Sequence, residues 1–425
     1  MDKLISPSDV EVNELMLYTT SGKAFDISDL VTEINIYENL LSPVMTADIF
    51  IVDAAGLFAN TPILGQEKIE GIITQGNDLQ DFTFRSVGIE DISNENDYTL
   101  RYKINLVEES YYRNATTLIS QSYSGSITDI IKSIAEDYLD EDIEIIDESV
   151  GNFKLIIPNL NPYKAIRWLM RRAHTDNNSP LVCYKSLYNG LQIVSLETLY
   201  QRESIQTFYD RKKDVQLTDS NKDQYLAYSQ TIRELTQYHL VNISNHLGEG
   251  VYGSRTQLVD IMNKNYEVFD FNYKDQFERT EHLEKARMIS DDFTVNGKSI
   301  FETSTTKQSN YVHSGNSFGD SHMDYNGDVI NSSPYLVSSL KSLFTTEYYG
   351  IITGRMTLGV GSIINLQLNK NIPFTANQQN EVLDTRRSGR HIITGLRHKI
   401  DSNRQYNLII NFARDTMGAE YNETI

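Results

Sequence analysis

The sequence contains Leu100-Arg101-Tyr102-Lys103-Ile104-Asn105-Leu106, in which apolar and polar residues alternate without a break. Successive side chains of a β-strand point to opposite faces, so this alternation predicts a strand with one buried and one solvated face. The same period appears in residues 82–84, 364–368 and 406–412. Antiparallel sheets and small barrels have one packed face and one solvated face. Strands are therefore predicted to dominate both ends of the chain.

Two amphipathic helices are predicted in the middle of the chain. Ser126 and Asp129 are spaced like the two residues of a capping box, and a stripe of apolar residues with a 3.6-residue period follows. Asn161-Pro162 gives a second helix start, because proline fits the first position of a helix. The apolar positions are Ile127, Ile130, Ile131, Ile134, Ala135 and Tyr138 in the first helix, and Ala165, Ile166, Leu169 and Ala173 in the second.

A β-hairpin is predicted directly after these helices. Residues 181–187 and 191–196 are rich in apolar residues and flank Asn189-Gly190. This dipeptide favours a type I′ turn between two antiparallel strands. Residues 113–205 are therefore predicted to form a compact α+β unit.

Three further helical segments and two loops are predicted elsewhere. Ser333-Pro334 is expected to open a helix, and a second helix fits residues 280–289. Asp53 is expected to cap a single short helical turn. Polar segments at 210–223 and 307–333 are predicted to be loops, the second of them long and mobile.

One internal repeat is visible. Leu64-Gly65-Gln66-Glu67-Lys68-Ile69 leads into an alternating strand, and so does Val360-Gly361-Ser362-Ile363-Ile364. Two copies of one barrel would leave such a pair of glycine turns, and convergent turn chemistry would leave the same pattern. Both explanations remain open at this stage.

The length and charge of the chain limit its function. It has 425 residues and a mass of 48.6 kDa, enough for about three domains that each bury a core. Acidic residues outnumber basic ones by 58 to 38, which gives a net charge of −20. A surface this acidic repels phosphate backbones and anionic membranes, so neither sequence-specific nucleic-acid binding nor membrane binding is expected.

Cysteine usage and hydropathy point to a protein made in a reducing cytosol. Cys183 is the only cysteine, so neither an intrachain disulfide nor a cysteine-based zinc site is expected. The first ten residues lack the basic start and apolar run of a signal peptide. The most apolar stretch, residues 49–59, is short and contains Asp53, so no membrane anchor is expected.

Two segments match catalytic motifs by their letters alone. Residues 248–253 fit G-x-G-x-x-G, but no parallel βαβ pattern surrounds them and Glu249 would face the phosphates of a nucleotide. Residues 315–319 fit G-x-S-x-G around Ser317, but they lie in a polar segment with no strand before them. A nucleotide-dependent enzyme and a cell-wall hydrolase using Ser317 are therefore kept only as alternatives.

Metal and cofactor sites are not expected either. The calcium-loop spacing fails around residues 324–328, where position one of the loop would be His322 and position twelve Ser333. His391 and His398 are seven residues apart on a predicted strand, so they are expected to point to opposite faces. Acidic clusters such as 140–142 are typical of a solvated surface. We therefore predict no catalytic residue, no cofactor and no metal, and a protein that is not an enzyme.

The order of several segments resembles the central baseplate hub proteins of contractile-tailed, T-even-like bacteriophages, a tail-tube-like barrel family related to the base of type VI secretion spikes. The similar segments are residues 25–43, 47–53, 64–67, 122–126, 157–162 and 389–396. None of them is a catalytic signature. Their order along the chain carries the resemblance, which covers most of the sequence and is weakest over 255–345.

The resemblance implies a fold that is mainly β with α+β insertions. Each chain would carry two tail-tube-like antiparallel β-barrels, an α+β domain and a small helical insert. The implied domains are a first barrel at 1–112, an α+β domain at 113–205, a second, discontinuous barrel at 206–265 and 350–415, a helical and loop insert at 266–349, and a C-terminal tail at 416–425.

The resemblance also implies a structural adaptor. Three copies would form a homotrimeric, pseudo-hexameric ring in the virion baseplate, assembled in the host cytoplasm. Its partners would be the tail tube, the central spike or cell-puncturing protein, and other baseplate proteins. Genomic DNA would pass through the lumen without specific binding, since acidic residues repel phosphates. An off-axis baseplate wedge component is a further alternative.

Such a ring needs apolar residues to join neighbouring barrels. The candidate subunit-interface residues are Ile36, Ile49, Ile51 and Leu366. Packing inside the barrel explains each of them equally well.

Overall fold

The computed structural model describes residues 10–61, 63–210, 228–261, 264–290, 292–302, 307–313, 329–370 and 383–418. In these ranges the strands, in chain order, are β1 Val10–Tyr18, β2 Ala24–Asp26, β3 Val31–Asn39, β4 Thr46–Asp53, β5 Lys68–Gln75, β6 Asp78–Asn96, β7 Thr99–Val107, β8 Ser122–Gly125, β9 Ile143–Ile145, β10 Phe153–Ile156, β11 Leu181–Ser186, β12 Gly190–Ser195, β13 Thr207–Asp210, β14 Thr231–Leu240, β15 Gly253–Asp260, β16 Asn265–Asn272, β17 Thr294–Val295, β18 Lys298–Ser299, β19 Gln308–His313, β20 Thr346–Thr353, β21 Ile363–Gln367, β22 Gly389–Asp401 and β23 Tyr406–Arg414.

Helices are shorter and lie mainly between the strand-rich ends. They are α1 Leu57–Asn60, α2 Glu109–Thr116, α3 Ile127–Ile134, α4 Pro162–Met170, α5 Leu196–Gln201, α6 Ile243–Glu249, α7 Tyr273–Phe277 and α8 Val329–Leu343, with a π-helical turn at Ala135–Leu139 and a 3₁₀ turn at Ile300–Glu302. The fold is mainly β with α+β insertions, which confirms the predicted fold class.

The C-terminal strands form a closed barrel. Six strands pair in the order β22-β21-β13-β14-β20-β23, and β23 pairs back to β22. The strand order therefore forms a closed circle, although β13 and β14 pair only at Thr231 and Ile232 of β14. The alternating residues of β23 point inward, with Tyr406, Leu408, Ile410 and Phe412 all buried.

The N-terminal strands form a sheet with the order β2-β1-β5-β6-β7-β4-β3. β2 and β3, the strands at the two ends of this order, are consecutive in the chain and are joined only by residues 27–30. A connection of that length spans at most about 17 Å, so the sheet must curl until its edges approach each other. Its buried face belongs to the same hydrophobic cluster as the barrel interior.

The two β-units share one topology. β6 and β22 each contain a bulge that precedes a glycine, Gly88 in β6 and Gly395 in β22. Each glycine lies opposite an asparagine that follows an isoleucine, Asn105 in β7 and Asn411 in β23. Matching the pairing registers at these bulges makes β3, β4, β5, β6 and β7 equivalent to β14, β20, β21, β22 and β23, respectively.

The glycine turns noticed in the sequence precede equivalent strands. Gly65 lies before β5 and Gly361 lies before β21, and both have a backbone φ of +81°. Only glycine adopts this left-handed conformation without strain. One position differs between the units, because β1 runs antiparallel to β5 whereas β13 runs parallel to β21.

The segment between the two units packs around its own core. A second hydrophobic cluster lies within residues 119–193 and is built from α3, α4 and the sheet β11-β12-β9. The predicted starts of α3 and α4 are confirmed, and Ser126 accepts a hydrogen bond from Asp129 N. The hairpin is also confirmed, but Ser186 pairs with Gly190 and leaves a three-residue loop, so the two-residue type I′ turn was wrong.

The long connection between β14 and β20 forms a third cluster. β15 pairs with β16 and β19 in a separate sheet, although residues 206–265 were expected in the barrel. The helix expected over 280–289 is wrong: this segment consists of bends and turns, and Ala286 pairs with Met417 instead. The helix predicted to open at Ser333-Pro334 is present, but its predicted start was wrong, because α8 begins at Val329 and contains Pro334 in its interior. The remaining domain limits stay predictions.

Candidate functional site: a strand junction and two unpaired edges

One antiparallel ladder joins the two β-units. β3 pairs with the second half of β22 over seven residues, from Asn39 opposite Gly395 to Glu33 opposite Asp401. The first half of β22 uses the same edge to pair with β21, which closes the barrel. The bulge before Gly395 separates these two pairings. β22 therefore closes the barrel and binds the other unit along one strand.

A buried carboxylate sits at this junction. Glu38 has a fully buried side chain on β3, and its Oε1 accepts Leu187 N at 2.7 Å and approaches His398 Nε2 at 3.0 Å. Its Oε2 accepts Val360 N at 3.0 Å. These three partners belong to the α+β segment, to β22 and to the turn before β21. Glu38 thus links three parts of the chain through hydrogen bonds made in a low-dielectric interior.

His398 relays this contact to a tyrosine in the barrel. Its Nδ1 lies 2.6 Å from the hydroxyl of Tyr406. Burial, and then the nearby Glu38, raises the pKa of Tyr406 well above its usual value, so the phenol stays protonated and donates to Nδ1. His398 then donates from Nε2 to Glu38, which fixes the tautomer of the ring.

A second buried charged group joins the N-terminal unit to the α+β segment. Lys185 Nζ lies 2.6 Å from Glu108 and 2.7 Å from Glu141. Burial favours the neutral amine, but the two carboxylates outweigh it and raise the pKa of Lys185. Burial raises the pKa of Glu108 although Lys185 opposes the shift. Glu108 also accepts Met45 N at 2.9 Å, so this cluster fixes the turn between β3 and β4.

The solvent-facing side of the junction carries paired charges. Glu33 on β3 contacts Arg397 at 3.0 Å and Lys399 at 2.8 Å, both on β22. Tyr37 donates to Asp48 at 2.8 Å, and burial together with this carboxylate raises the pKa of Tyr37 to about 12. The cations on this face are therefore held by neighbouring carboxylates.

Two strand edges lack a partner among the described residues. β14 pairs with β20 along one edge, but along the other it pairs with β13 only at Thr231 and Ile232. β6 pairs with β7 along one edge, but its pairing with β5 ends at Arg85. Residues 233–240 and 89–96 therefore present backbone groups to which another strand can add.

Large exposed apolar side chains occur along both edges. Tyr238 and Leu240 on β14 are 59% and 50% exposed, and Ile92 on β6 is 52% exposed. Tyr98, at the tip of the β6–β7 hairpin, is 90% exposed. Single exposed apolar residues are common on proteins, but a group of them beside unpaired strand edges is typical of an interaction surface.

These unpaired edges are the counterparts of the junction strands. β14 is equivalent to β3, and the second half of β6 is equivalent to the second half of β22, by the register match at the bulges. The ladder β3–β22 is thus made within one chain, whereas its counterpart β14–β6 is not made. The site could not be found from sequence alone, because the residues that pair between β3 and β22 are more than 350 residues apart in the chain.

The candidate interface residues lie elsewhere. Ile36, Ile49, Ile51 and Leu366 each have 0% exposed surface and belong to the main hydrophobic cluster. A side chain without accessible surface cannot contact a second chain unless the barrel opens. These four residues are therefore core residues, and the interface role assigned to them is corrected.

The glycine motif at residues 248–253 has the wrong connectivity for a nucleotide site. α6 precedes it and β15 follows it, whereas a dinucleotide fingerprint connects a strand to a following helix. Gly250 has a φ of +76° and caps the C-terminus of α6. The helix end near this loop therefore carries carbonyl groups, which repel phosphates.

His391 and His398 lie on the same face of β22, so their expected opposite orientation was wrong. The bulge before Gly395 adds one residue and restores an even separation, and both side chains are buried. Across the described residues, no group of three or more His, Cys, Asp or Glu is arranged to hold a metal ion. Ser317, His322 and residues 324–328 lie outside the described residues, as does most of the loop predicted at 307–333.

Glu38 was missed among the candidate residues, although the sequence contains a signal for it. It continues the alternation of Ile34 and Ile36, which places a carboxylate on the buried face of β3. A charged residue at an inward position needs a partner, and that requirement marks a junction. Among the helices that the structure describes, none is long and apolar enough to cross a membrane.

Comparison with solved structures shows the fold. A tail protein from Neisseria meningitidis MC58 matches with a TM-score of 0.55 at 10% identity, over 95% of this chain and 96% of that chain. The 43 kDa tail protein of prophage MuSo2 from Shewanella oneidensis matches with a TM-score of 0.52 at 10% identity, over 95% and 99% of the two chains. No protein family and no curated protein matches the sequence. The chain therefore has the fold of these two tail proteins.

Proposed function

We propose that this chain is a structural adaptor in a phage tail baseplate, where three copies form a closed ring. The observation that carries the proposal is the β3–β22 ladder together with its unmade counterpart, β14 and β6. A chain with one satisfied junction and two complementary unpaired edges associates head to tail. If the junction between chains repeats the geometry within the chain, and this geometry turns each unit by about 60° from the last, six equivalent units close a ring at three copies.

The register of the proposed contact follows from the register of the ladder within the chain. Glu38 lies opposite Leu396, and the equivalent positions are Leu240 on β14 and Ile89 on β6. In the ring, Leu240 of one copy therefore lies opposite Ile89 of the next copy. This pairing covers Leu240, and it adds backbone hydrogen bonds by strand addition.

The ring explains how one protein joins partners of different symmetry. Three chains present six similar units toward a sixfold tail tube, and three α+β segments toward a threefold spike. The fold shared with two tail proteins supports a place in the virion tail. The expected partners are the tail tube, the central spike and other baseplate proteins, with assembly in the host cytoplasm.

DNA passage through such a ring requires weak binding to phosphates. The cations beside the junction, Arg397 and Lys399, are already paired with Glu33. A paired cation releases fewer counterions on meeting a phosphate, so its contribution to DNA affinity is small. With a net charge of −20 per chain, the surface supports a conduit that DNA crosses without specific contacts.

A cysteine pair tests the proposed register. Leu240→Cys with Ile89→Cys in one chain should give, under mild oxidation, a covalent species of about 146 kDa, three times the 48.6 kDa chain. The controls are each single variant and the double variant Leu240→Cys with Glu95→Cys. None of them should form the covalent three-chain species. The native Cys183 is buried, and burial raises its pKa to about 12, so it stays unreactive.

Light scattering provides the companion measurement. The wild-type protein should form a trimer at high concentration, alone or when co-expressed with its spike. A strictly monomeric protein under both conditions would favour an off-axis wedge component. Measurable turnover that is lost in Gly250→Val or Ser317→Ala would instead favour the enzymatic alternatives.

A further inference from the structure

A large groove lies where three parts of the chain meet. It has a volume of about 980 Å³ and lies between α4, the turn from β3 to β4, and the C-terminal end of α8. A volume of this size is typical of ligand sites and accommodates several residues of an extended peptide. No step of the proposed ring assembly uses it.

The charge around this groove is opposite to the charge of the protein. Lys164, Arg167 and Arg171 line one side, and Lys341 lines the other, while no aspartate or glutamate is among the described lining residues. The net charge of the whole chain is −20. An acidic partner is attracted to this basic groove, whereas the rest of the acidic protein repels it.

Three of these cations have no acidic partner in the described part of the chain. Lys164, Arg167 and Arg171 are exposed and occur at helical spacings of three and four residues, so they share one face of α4. Lys341 is different, because it contacts Glu249 at 2.8 Å. The α4 face therefore offers two guanidinium groups and an ammonium group that are free to bind carboxylates, and guanidinium groups do so in bidentate fashion.

The floor of the groove is apolar. It consists of Leu41, Pro43, Val44, Met170, Leu340 and Phe344, and Leu41 is 42% exposed. Phosphate groups alone leave such a floor uncovered, whereas a peptide can fill it with a side chain. The combination of an apolar floor and a basic rim thus selects carboxylates on either side of an apolar anchor.

We propose that this groove binds a short acidic segment of a partner protein, in which an apolar side chain lies between carboxylates. The apolar side chain contacts Leu41 and Phe344, and the carboxylates bind the α4 cations. Binding weakens as salt rises, because the rim is exposed and its charges are screened. The proposal does not depend on the ring, since all its residues come from one chain.

Fluorescence anisotropy with defined peptides tests the proposal. The probes are fluorescein-labelled hexapeptides with two acidic residues on each side of a Leu-Phe, Ile-Tyr or Phe-Leu pair. Matched probes carry Asn and Gln in place of Asp and Glu, or Gly-Ser in place of the apolar pair. At least one acidic–apolar peptide should bind tenfold more tightly than both of its matched probes, and a 20-base-pair labelled duplex should not compete.

Variants of the full chain locate the binding site. The triple variant Lys164→Gln, Arg167→Gln and Arg171→Gln should weaken peptide binding at least tenfold. The control triple Lys23→Gln, Lys264→Gln and Arg279→Gln removes the same charge from exposed positions elsewhere and should leave binding within twofold. Leu41→Ser should weaken binding several-fold at unchanged charge.

Three results would overturn the proposal. They are equal binding of the acidic and neutral peptides, an equal loss of binding in both triple variants, and displacement of the peptide by the DNA duplex. Far-ultraviolet circular dichroism of each variant checks that a loss of binding does not reflect unfolding.

Discussion

The N-terminal β-unit and the C-terminal barrel have the same strand order, yet they differ in how their chain is connected. β3 and β4 are joined by six residues, whereas their counterparts β14 and β20 are separated by residues 241–345. A long insertion at a surface turn adds little loop-closure entropy, so the barrel still closes around it. The comparison shows that pairing across the barrel, rather than continuity of the chain, defines this fold.

The interiors of the two units also differ. Register places His391 of β22 at the position of Phe84 in β6, and Gly350 of β20 at the position of Ile49 in β4. The C-terminal barrel buries His391, His398 and Arg414, whereas the N-terminal unit buries the carboxylates of Glu38, Asp53, Glu67 and Glu108. Two β-units built on one plan are therefore expected to respond differently to mutation and to pH.

The largest effect is expected at the junction carboxylate. Glu38→Leu leaves His398 and the amides of Leu187 and Val360 without their buried acceptor. Removing one member of a buried charged network lowers the free energy of unfolding by about 3–5 kcal/mol. Urea denaturation followed by tyrosine fluorescence measures the change.

The matched position in the other unit provides the control for this experiment. Leu240→Ala at the end of β14 should change the free energy of unfolding of the isolated chain by about 0.5 kcal/mol or less, because Leu240 is half exposed. Equal losses for Glu38→Leu and Leu240→Ala would show that the two strand ends are equivalent in the isolated chain, contrary to the structure.

The next prediction compares the C-terminal ends of the equivalent strands β4 and β20. Asp53 accepts the amides of Leu57 and Phe58 at 2.9 and 2.7 Å and so satisfies the first amides of α1, whose N-cap residue is Gly56. The matching position, Gly354, lies against the ring of Tyr406. A Cβ added at Gly354 would overlap the ring of Tyr406. Gly354→Ala should therefore destabilise the chain by about 1–3 kcal/mol through overpacking.

A substitution at Asp53 measures how much its side chain stabilises the start of α1. Asp53→Ala should lower the free energy of unfolding by about 1 kcal/mol, the usual contribution of a side chain that accepts the first amides of a helix. Thermal denaturation of both variants compares the two positions. A Gly354→Ala protein as stable as the wild type would mean that Tyr406 moves freely, which its contact with His398 opposes.

A further difference between the two units depends on pH. Burial, and then the charge of Arg414, lowers the pKa of His391 well below its usual value, so the folded chain keeps the ring neutral. The unfolded chain binds a proton below about pH 6.5, so stability is lost as the pH falls through that value. His391→Phe introduces the residue found at the matching position in β6. Its stability relative to the wild type should be greater at pH 5 than at pH 7.5, by up to about 2 kcal/mol.

Urea titrations of both proteins at the two pH values measure this difference. Phe412→Leu removes a neighbouring ring without removing a titratable group, so its stability should follow the pH dependence of the wild type. An unchanged pH dependence in His391→Phe would place the acid-sensitive group elsewhere in the chain.

Local signals in the sequence predicted much of the fold. Alternating residues predicted β7 and β23, and the hydrogen bonds of Ser126 and Asp53 to helix starts were found because capping depends on neighbours in sequence. The bulge in β22 reversed the predicted facing of His391 and His398, because one extra residue inverts the alternation. The β3–β22 ladder had no local signal, since the partners are chosen by closure of two distant sheets.

The smallest effect tests whether the bulges or their glycines define the repeat. Gly88 and Gly395 occupy matched positions, but neither has a positive φ, and an added Cβ has open space at Gly88 and ordinary contact with Asn411 at Gly395. Gly88→Ala and Gly395→Ala should therefore each change the free energy of unfolding by less than about 1 kcal/mol. Deleting the bulge residue Val87 or Thr394 should be more disruptive, because the flanking pairs stay in register but the strand loses the extra residue that bends and twists it. If instead the two alanine variants unfold while the deletions fold, the glycines rather than the register would relate the two units, and the predicted pairing of Leu240 with Ile89 would lose its basis.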